Sequence, residues 1–275
     1  MAAPSPDGVP TCLEACRRIV EVHKAHRMPA TFFIVGRTLE QSPAEFRSLL
    51  DDPLFEIASH SYSHGMLRDH PICGPAGSRE RVLEEVHRGK AVVEDVFGRA
   101  CAGFRPGCGY TAGLRGMPEV LDAIQEAGYR YVSSLLWGDD YSLPAPLAEP
   151  FSYAAEGHPG INEYPASGWH ENLLKGNNRG QKPMRTVLFP TPFLDAVPPR
   201  AITSVEEEMR YNNRFFIEAA LTARASYVTL IWHPWSLGLF DPPMRMLDLT
   251  FELVRARGLQ PCTFEEMDRQ RRAGG

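Results

Sequence analysis

The chain has 275 residues, 43% of them hydrophobic, with 29 Lys and Arg against 34 Asp and Glu and a formal net charge of -5. That length buries one substantial core. The mildly acidic balance and scattered basic residues argue against an electrostatic nucleic-acid partner and against a polybasic membrane patch. No apolar run approaches the ~18–20 residues a membrane-spanning helix needs. The opening MAAPSPDGVP has neither the basic start nor the apolar stretch of a signal peptide, so a cytoplasmic location is expected. The six cysteines show no metal-type pairing, and all are expected as free thiols of a reducing compartment.

In chain order, helical and strand patterns alternate. After Pro10, TCLEACRRIVEVHKAH places Leu13, Cys16, Ile19 and Val20 at helical spacing. ATFFIV (30–35) is a short β-rich run, as expected of a strand covered on both faces. Ser42 and Pro43 read as N-cap and first residue of a helix through AEFRSLL. LFEIAS is the next strand, followed by a helix over SRERVLEEVHRGKAVVEDVFG that closes at Gly98. CAGFR and YRYVSSLLW read as strands on either side of a helix, MPEVLDAIQEAG, that ends at Gly128. From about 139 to 199 the rhythm breaks into a Pro-, Gly- and Asn-rich insertion with one expected strand, RTVLF; such a stretch is usually functional or disordered. Helix SVEEEMRYNNRFFIEAALTARA, strand SYVTLIW, a helix over 244–257 and a last short strand near LQPCTF complete a single domain spanning 1–275. The alternation implies an α/β fold with a parallel sheet, open or closed into a barrel.

Active-site residues of such folds collect where strands end. Here those ends carry His60 and His64, Arg105, the Trp137 to Asp140 stretch, and His233. On a helical turn, H-x-x-x-H puts two imidazoles on one face, able to grip one cation; two ordinary loop histidines are the alternative. His233 could act as general acid or base near neutral pH. Arg105 would pair with a carboxylate, and the backbone around Gly107 and Gly109 could point N–H groups at an oxyanion. Trp137, Trp169, Trp232 and Trp235 suit stacking on a sugar or planar ring, although core packing is the commoner fate of a tryptophan.

ATFF, EIASHSYSH, GFRPGCGY and VTLIWHPW, in this order and at these separations, resemble the polysaccharide deacetylase superfamily, metal-dependent hydrolases of acetamido sugars with relatives acting on linear or cyclic amides. The resemblance runs from about residue 9 to residue 265. It implies an irregular (β/α)7-type barrel and a divalent metal, usually zinc, held by His60 and His64. It makes Arg105 the residue that orients the catalytic carboxylate, and His233 the acid for the departing amine, steadied by Asp139 or Asp140. Gly107, Tyr110, Trp137, Trp169, His170 and Trp235 are the substrate-binding candidates, with a small-molecule or sugar substrate expected.

The pattern breaks at its start. The family's first strand ends in two acidic residues, a catalytic base and a third metal ligand, and here no strand pattern precedes the first helix. Asp7 is either the remnant of that motif or only a residue of the helix start, favoured there by the macrodipole. A missing strand would leave ladder groups to be satisfied, so edge pairing with a second copy, a homo-oligomer, is open. Three functions follow: deacetylation of an N-acetylated sugar, hydrolysis of a cyclic imide or ureide, or ligand binding without turnover.

Overall fold

A computed structural model describes residues 9–71, 73–141, 145, 147–169 and 204–274. Its elements are α1 (Val9–His26), β1 (Ala30–Ile34), α2 (Gly36–Gln41), α3 (Pro43–Leu50), β2 (Phe55–Ser59), α4 (Arg79–Phe97), β3 (Gly103–Phe104), α5 (Pro118–Glu126), β4 (Tyr131–Val132), β5 (Phe151–Tyr153), β6 (His158–Glu163) and β7 (Gly168–Trp169). They continue with α6 (Val205–Glu208), a π turn (Met209–Asn213), α7 (Arg214–Ala223), β8 (Leu230–Ile231), α8 (Pro234–Phe240), α9 (Arg245–Ala256) and α10 (Phe264–Gly274). The fold is α/β. A six-stranded sheet runs β1-β2-β3-β4-β6-β5, parallel except where β5 returns along β6, and β7 pairs in parallel with β8.

The strands form where β-branched and aromatic residues cluster, and burial follows position in the sheet. All five residues of β2, between β1 and β3, are buried, whereas four of the five in β1 are half-exposed. One core packs the sheet against α3, α4 and α5 through residues such as Leu50, Val86, Phe104 and Leu121. Each such fully buried side chain contributes roughly 1.5–3 kcal/mol. A second core, with Ile19, Leu237, Leu247 and Phe251, joins α1, α8 and α9. Glycine ends α4 as read: Gly98 adopts φ +64°, and its N–H donates to the Glu94 carbonyl at 2.8 Å.

Several expectations are corrected. Ser42 precedes α3, but its side chain makes no capping bond. The stretch read as irregular from 139 contains β5, β6 and β7, of which β5 and β6 extend the main sheet. RTVLF and His170 lie outside the described residues. The segment near LQPCTF is not a strand; its Thr263 and Phe264 lead into α10, where the Phe264 N–H donates to Thr31 Oγ1 at 3.0 Å. Cys73 and Cys108 form a disulfide, contrary to the all-thiol reading, while Cys12, Cys16, Cys101 and Cys262 are free. The bonded pair is 35 residues apart in sequence and meets because the loops after β2 and β3 follow neighbouring parallel strands.

Candidate active site

β1 and β2 run in register, Ile34 beside Ser59, so the chain leaves β2 with His60 at the sheet's C-terminal rim. The His60 N–H donates to the Ile34 carbonyl at 2.9 Å. Beyond it the backbone does not form the helical turn expected for H-x-x-x-H. Ser61 and His64 both take left-handed φ, +58° and +64°, a conformation that costs a side-chain-bearing residue energy unless its surroundings hold it. They do: Ser61 Oγ accepts the His64 N–H at 3.1 Å. Glu85, projecting from α4, accepts the N–H of Ser63 at 2.7 Å and that of Gly65 at 3.3 Å, and also takes the Ser63 hydroxyl. The sharp loop brings the two imidazoles edge to face, centroids 4.7 Å apart.

His60 Nδ1 faces the Arg105 carbonyl at 2.9 Å, so that nitrogen carries the proton and Nε2 keeps its lone pair. Burial lowers the His60 pKa well below the ordinary histidine value, and the neighbouring His64 lowers it further. Burial, then the proximity of His233, lowers His64 to about 4. Both rings are therefore neutral at pH 7, the form that ligates a metal, and the carbonyl behind His60 is the kind of outer contact that orients a metal-ligating imidazole. The pair fits a divalent cation as far as it goes. Among the described residues no third His, Cys, Asp or Glu joins them, and Asp7 lies outside those residues.

Arg105, just past β3, is 7% exposed, donates from Nη2 to Ser133 Oγ at 2.8 Å and lies over the Phe33 ring at 4.1 Å. Burial lowers its pKa to about 10, partly offset by Tyr131, Glu163 and Tyr227. Its Nε has no hydrogen-bond partner among the described residues. Gly107 packs under the histidine loop, where an added Cβ would stand 2.6 Å from the His64 carbonyl oxygen. His233 stands at the N-cap position of α8, two residues past the end of β8, without a side-chain capping bond, its ring 6.5 Å from that of Trp235. His60, His64, Arg105, His233 and Trp235 all line one cavity of about 1380 Å³.

Other candidates lie differently. Tyr110 is fully buried, its hydroxyl accepting the Leu67 and Arg68 N–H groups at 2.9 and 3.3 Å. Trp137 is also buried and donates from Nε1 to the Cys108 carbonyl at 2.6 Å. These two brace the loops that frame the site rather than presenting a ring face to a ligand. Asp139 is exposed in a short 3₁₀ turn. The side chains of Asp140 and Trp169 are outside the described residues.

Sequence reasoning missed two organising carboxylates. Glu85 sits mid-helix in a charged stretch and gives no local signal. Glu163 ends β6, fully buried, and accepts the Ser134 and Leu135 N–H groups at 2.7 and 2.9 Å and the Tyr153 hydroxyl at 2.6 Å. Burial raises its pKa. A polar residue at a strand end was the usable signal, obscured because that stretch reads as irregular.

The site is thus a rim of an α/β fold, with a histidine pair, an arginine and a third histidine just past the ends of parallel strands. Residues 7–132 match the polysaccharide deacetylase family model, and the fold is that of solved polysaccharide deacetylases. A chain from Mycobacterium smegmatis described as a polysaccharide deacetylase matches at TM-score 0.56 and 19% identity, over 92% of this chain and 81% of that one. A counterpart from Pseudomonas aeruginosa PAO1 matches at TM-score 0.61 and 17% identity, over 93% and 71%. The Puue allantoinase structure matches at TM-score 0.61 and 16% identity, over 92% and 70%. Comparison with curated proteins finds no match. Among the described residues no helix is long and apolar enough to cross a membrane.

Proposed function

We propose that the chain is a metal-dependent hydrolase of non-peptide C–N amide bonds that removes the acetyl group of an N-acetylated sugar. The observation that carries the reading is the neutral His60–His64 pair, 4.7 Å apart, with His60 oriented by the Arg105 carbonyl. The family match over residues 7–132 supports it. His60 and His64 would hold the cation, most simply zinc. When bound, such an ion polarises the amide carbonyl and lowers the pKa of water toward ~7.

The remaining roles fall to the chain's own groups. Arg105 aligns the carboxylate that receives the water's proton. His233 gives a proton to the departing nitrogen, which an amine, as a poor leaving group, requires. Asp139 or Asp140 steadies His233, and Trp235 offers an aromatic wall to the substrate.

Two other readings each rest on an observation. The aromatic and apolar cavity also suits a cyclic ureide or imide, and the likeness to an allantoinase structure accords with that. Ligand binding without turnover is favoured by the lack of a third metal ligand among the described residues.

One experiment separates the three. Metal content is measured on wild type and His60→Ala after zinc supplementation, beside acetate release from N-acetylglucosamine oligomers and ring opening of a cyclic ureide. Stoichiometric metal in wild type only, with acetate release, supports the deacetylase; metal with ring opening moves the substrate to the ureide. Wild type that takes up no zinc, cobalt, nickel or manganese refutes the hydrolase.

A further inference from the structure

Both imidazoles rest on one short turn after β3. The Arg105 carbonyl faces His60 Nδ1 at 2.9 Å. Gly107 lies so close to the histidine loop that a Cβ there would stand 2.6 Å from the His64 carbonyl oxygen and 2.9 Å from Met66 Cε. The turn is tied at its ends: the Arg105 N–H donates to the Ser59 carbonyl at 2.8 Å, and the Tyr110 N–H to the Ser134 carbonyl at 2.7 Å. Between those ties stand Pro106, which has no N–H to donate, Gly107, Cys108 and Gly109. Cys108 takes a left-handed φ of +59°, which a residue with a side chain keeps only where its surroundings hold it. Its carbonyl accepts Trp137 Nε1 at 2.6 Å, and its sulfur is bonded to Cys73.

The two ends of that bridge differ. Cys108 is 4% exposed, whereas Cys73 is only half-buried. Cys73 belongs to a turn closed by its own bonds: His70 and Gly74 exchange N–H to carbonyl bonds at 2.9 and 3.0 Å, and the Cys73 N–H donates to His70 Nδ1 at 3.0 Å. That turn keeps its shape without the bridge. The turn at 106–109 would instead lose the covalent anchor of its strained residue. Thiol–disulfide exchange begins at the sulfur a thiolate can reach, and bridges that are accessible or hold strain are the exchangeable ones.

From these observations we propose that Cys73–Cys108 is a thiol–disulfide exchange site, opened by a dithiol reductant, that sets the spacing of the His60–His64 pair. A thiolate of the reductant attacks Cys73 Sγ. The S–S bond breaks, and its electron pair leaves on Cys108 Sγ, which takes up a proton. The second thiol of the reductant then attacks the mixed disulfide, closing the reductant's own disulfide and releasing Cys73 as a thiolate that is protonated in turn. Two electrons and two protons thus pass from the dithiol to the protein. Cys108 relaxes from its left-handed conformation, Gly107 withdraws from His64, and the imidazoles part. The effect on a bound metal rests on the hydrolase reading; the exchange and the loop movement do not.

The test uses metal-free protein and dithiothreitol at millimolar concentration without denaturant. Alkylation after acid quench and unfolding should find thiols at Cys73 and Cys108, while circular dichroism shows the fold retained. In the reduced protein the ring proton signals of His60 and His64 should shift. The His64 amide, bonded to Ser61 Oγ, should exchange about tenfold faster or more, as local opening predicts. Reoxidation with the cyclic disulfide of dithiothreitol should restore both signals. In a second arm, zinc is titrated into oxidised wild type and into a Cys73→Ser, Cys108→Ser double variant, which has no bridge and adds no thiol ligand. The variant should bind about tenfold more weakly or worse.

A bridge that opens only once the fold is lost would overturn the exchange site. Ring signals and His64 exchange that ignore reduction would leave the bridge a structural cross-link and overturn the coupling, as would equal zinc affinity of oxidised wild type and double variant. Oxidised wild type that takes up no zinc refutes the hydrolase reading instead, and the ring and amide signals then decide the exchange site by themselves.

Discussion

Arg105 illustrates how the site sets function against stability. The residue is 7% exposed, and burial lowers its pKa from 12.5 to about 10. At ~1.4 kcal/mol per pKa unit, the charged form is disfavoured in the fold by about 3 kcal/mol relative to the unfolded chain. Because both states are charged below pH 10, that cost is constant from pH 6 to 8. Arg105→Met keeps most of the stem packed over Phe33. It loses the bond to Ser133, worth about 1 kcal/mol, and the ring contact, worth about 0.5–1 kcal/mol. A buried charge replaced by an apolar residue of similar length is often neutral or stabilising. The variant should therefore be more stable by about 1–2 kcal/mol while losing the hydrolysis proposed above. Urea unfolding of both proteins at pH 6 and pH 8 reads the difference. A variant less stable than wild type by more than about 1 kcal/mol would mean that Arg105 is held by interactions stronger than those seen, and the reasoning fails.

Other predictions are narrower. His23 is buried with Nδ1–H on the Met28 carbonyl at 2.8 Å, and burial lowers its pKa to about 4. Its neutral form is the native one, so its contribution is full above the unfolded value near 6.5 and is lost as pH falls toward 4. Between pH 7 and pH 4, wild type should lose about 3 kcal/mol more than His23→Gln in chemical denaturation; parallel losses would refute the assignment. Gly107→Ala drives a Cβ to 2.6 Å from the His64 carbonyl oxygen. Isothermal titration should show zinc affinity falling about tenfold or more, with stability down by about 1–3 kcal/mol; unchanged affinity would show that the His64 loop is not held there. Reducing the Cys73–Cys108 bond, which closes a 35-residue separation, should lower stability by about 3–4 kcal/mol. Thermal melts with and without reductant check it, Cys73→Ser serving as the non-responding control.

Much of the scaffold is legible in sequence because apolar period and chain punctuation are local. ATFFI and FEIAS are β-rich runs and became β1 and β2; Gly98 and Gly128, needed at positive φ, marked helix ends. The strand-end position of His60, Arg105 and His233 is likewise a property of short neighbouring segments. What sequence did not reveal depends on partners far along the chain. The H-x-x-x-H spacing suggests a helical turn, yet Glu85, 22 residues beyond Ser63, fixes a left-handed loop instead. Glu163 is structural only because Ser134 and Tyr153 close around it. The two cysteines meet only once β2 and β3 lie side by side. Residue chemistry named the candidate site; tertiary contacts decided its geometry.

The reach of Glu85 from α4 has a thermal consequence. The loop bearing His60 and His64 is strained at two residues, and the carboxylate that restrains it belongs to a helix outside the β-sheet. Helices can undock before a sheet core opens. A modest rise in temperature that loosens the first half of α4 would release Ser63 and Gly65, and the imidazoles would part while the strands still stood. Heat inactivation should then precede the loss of β-structure, and recover on cooling as the helix settles back.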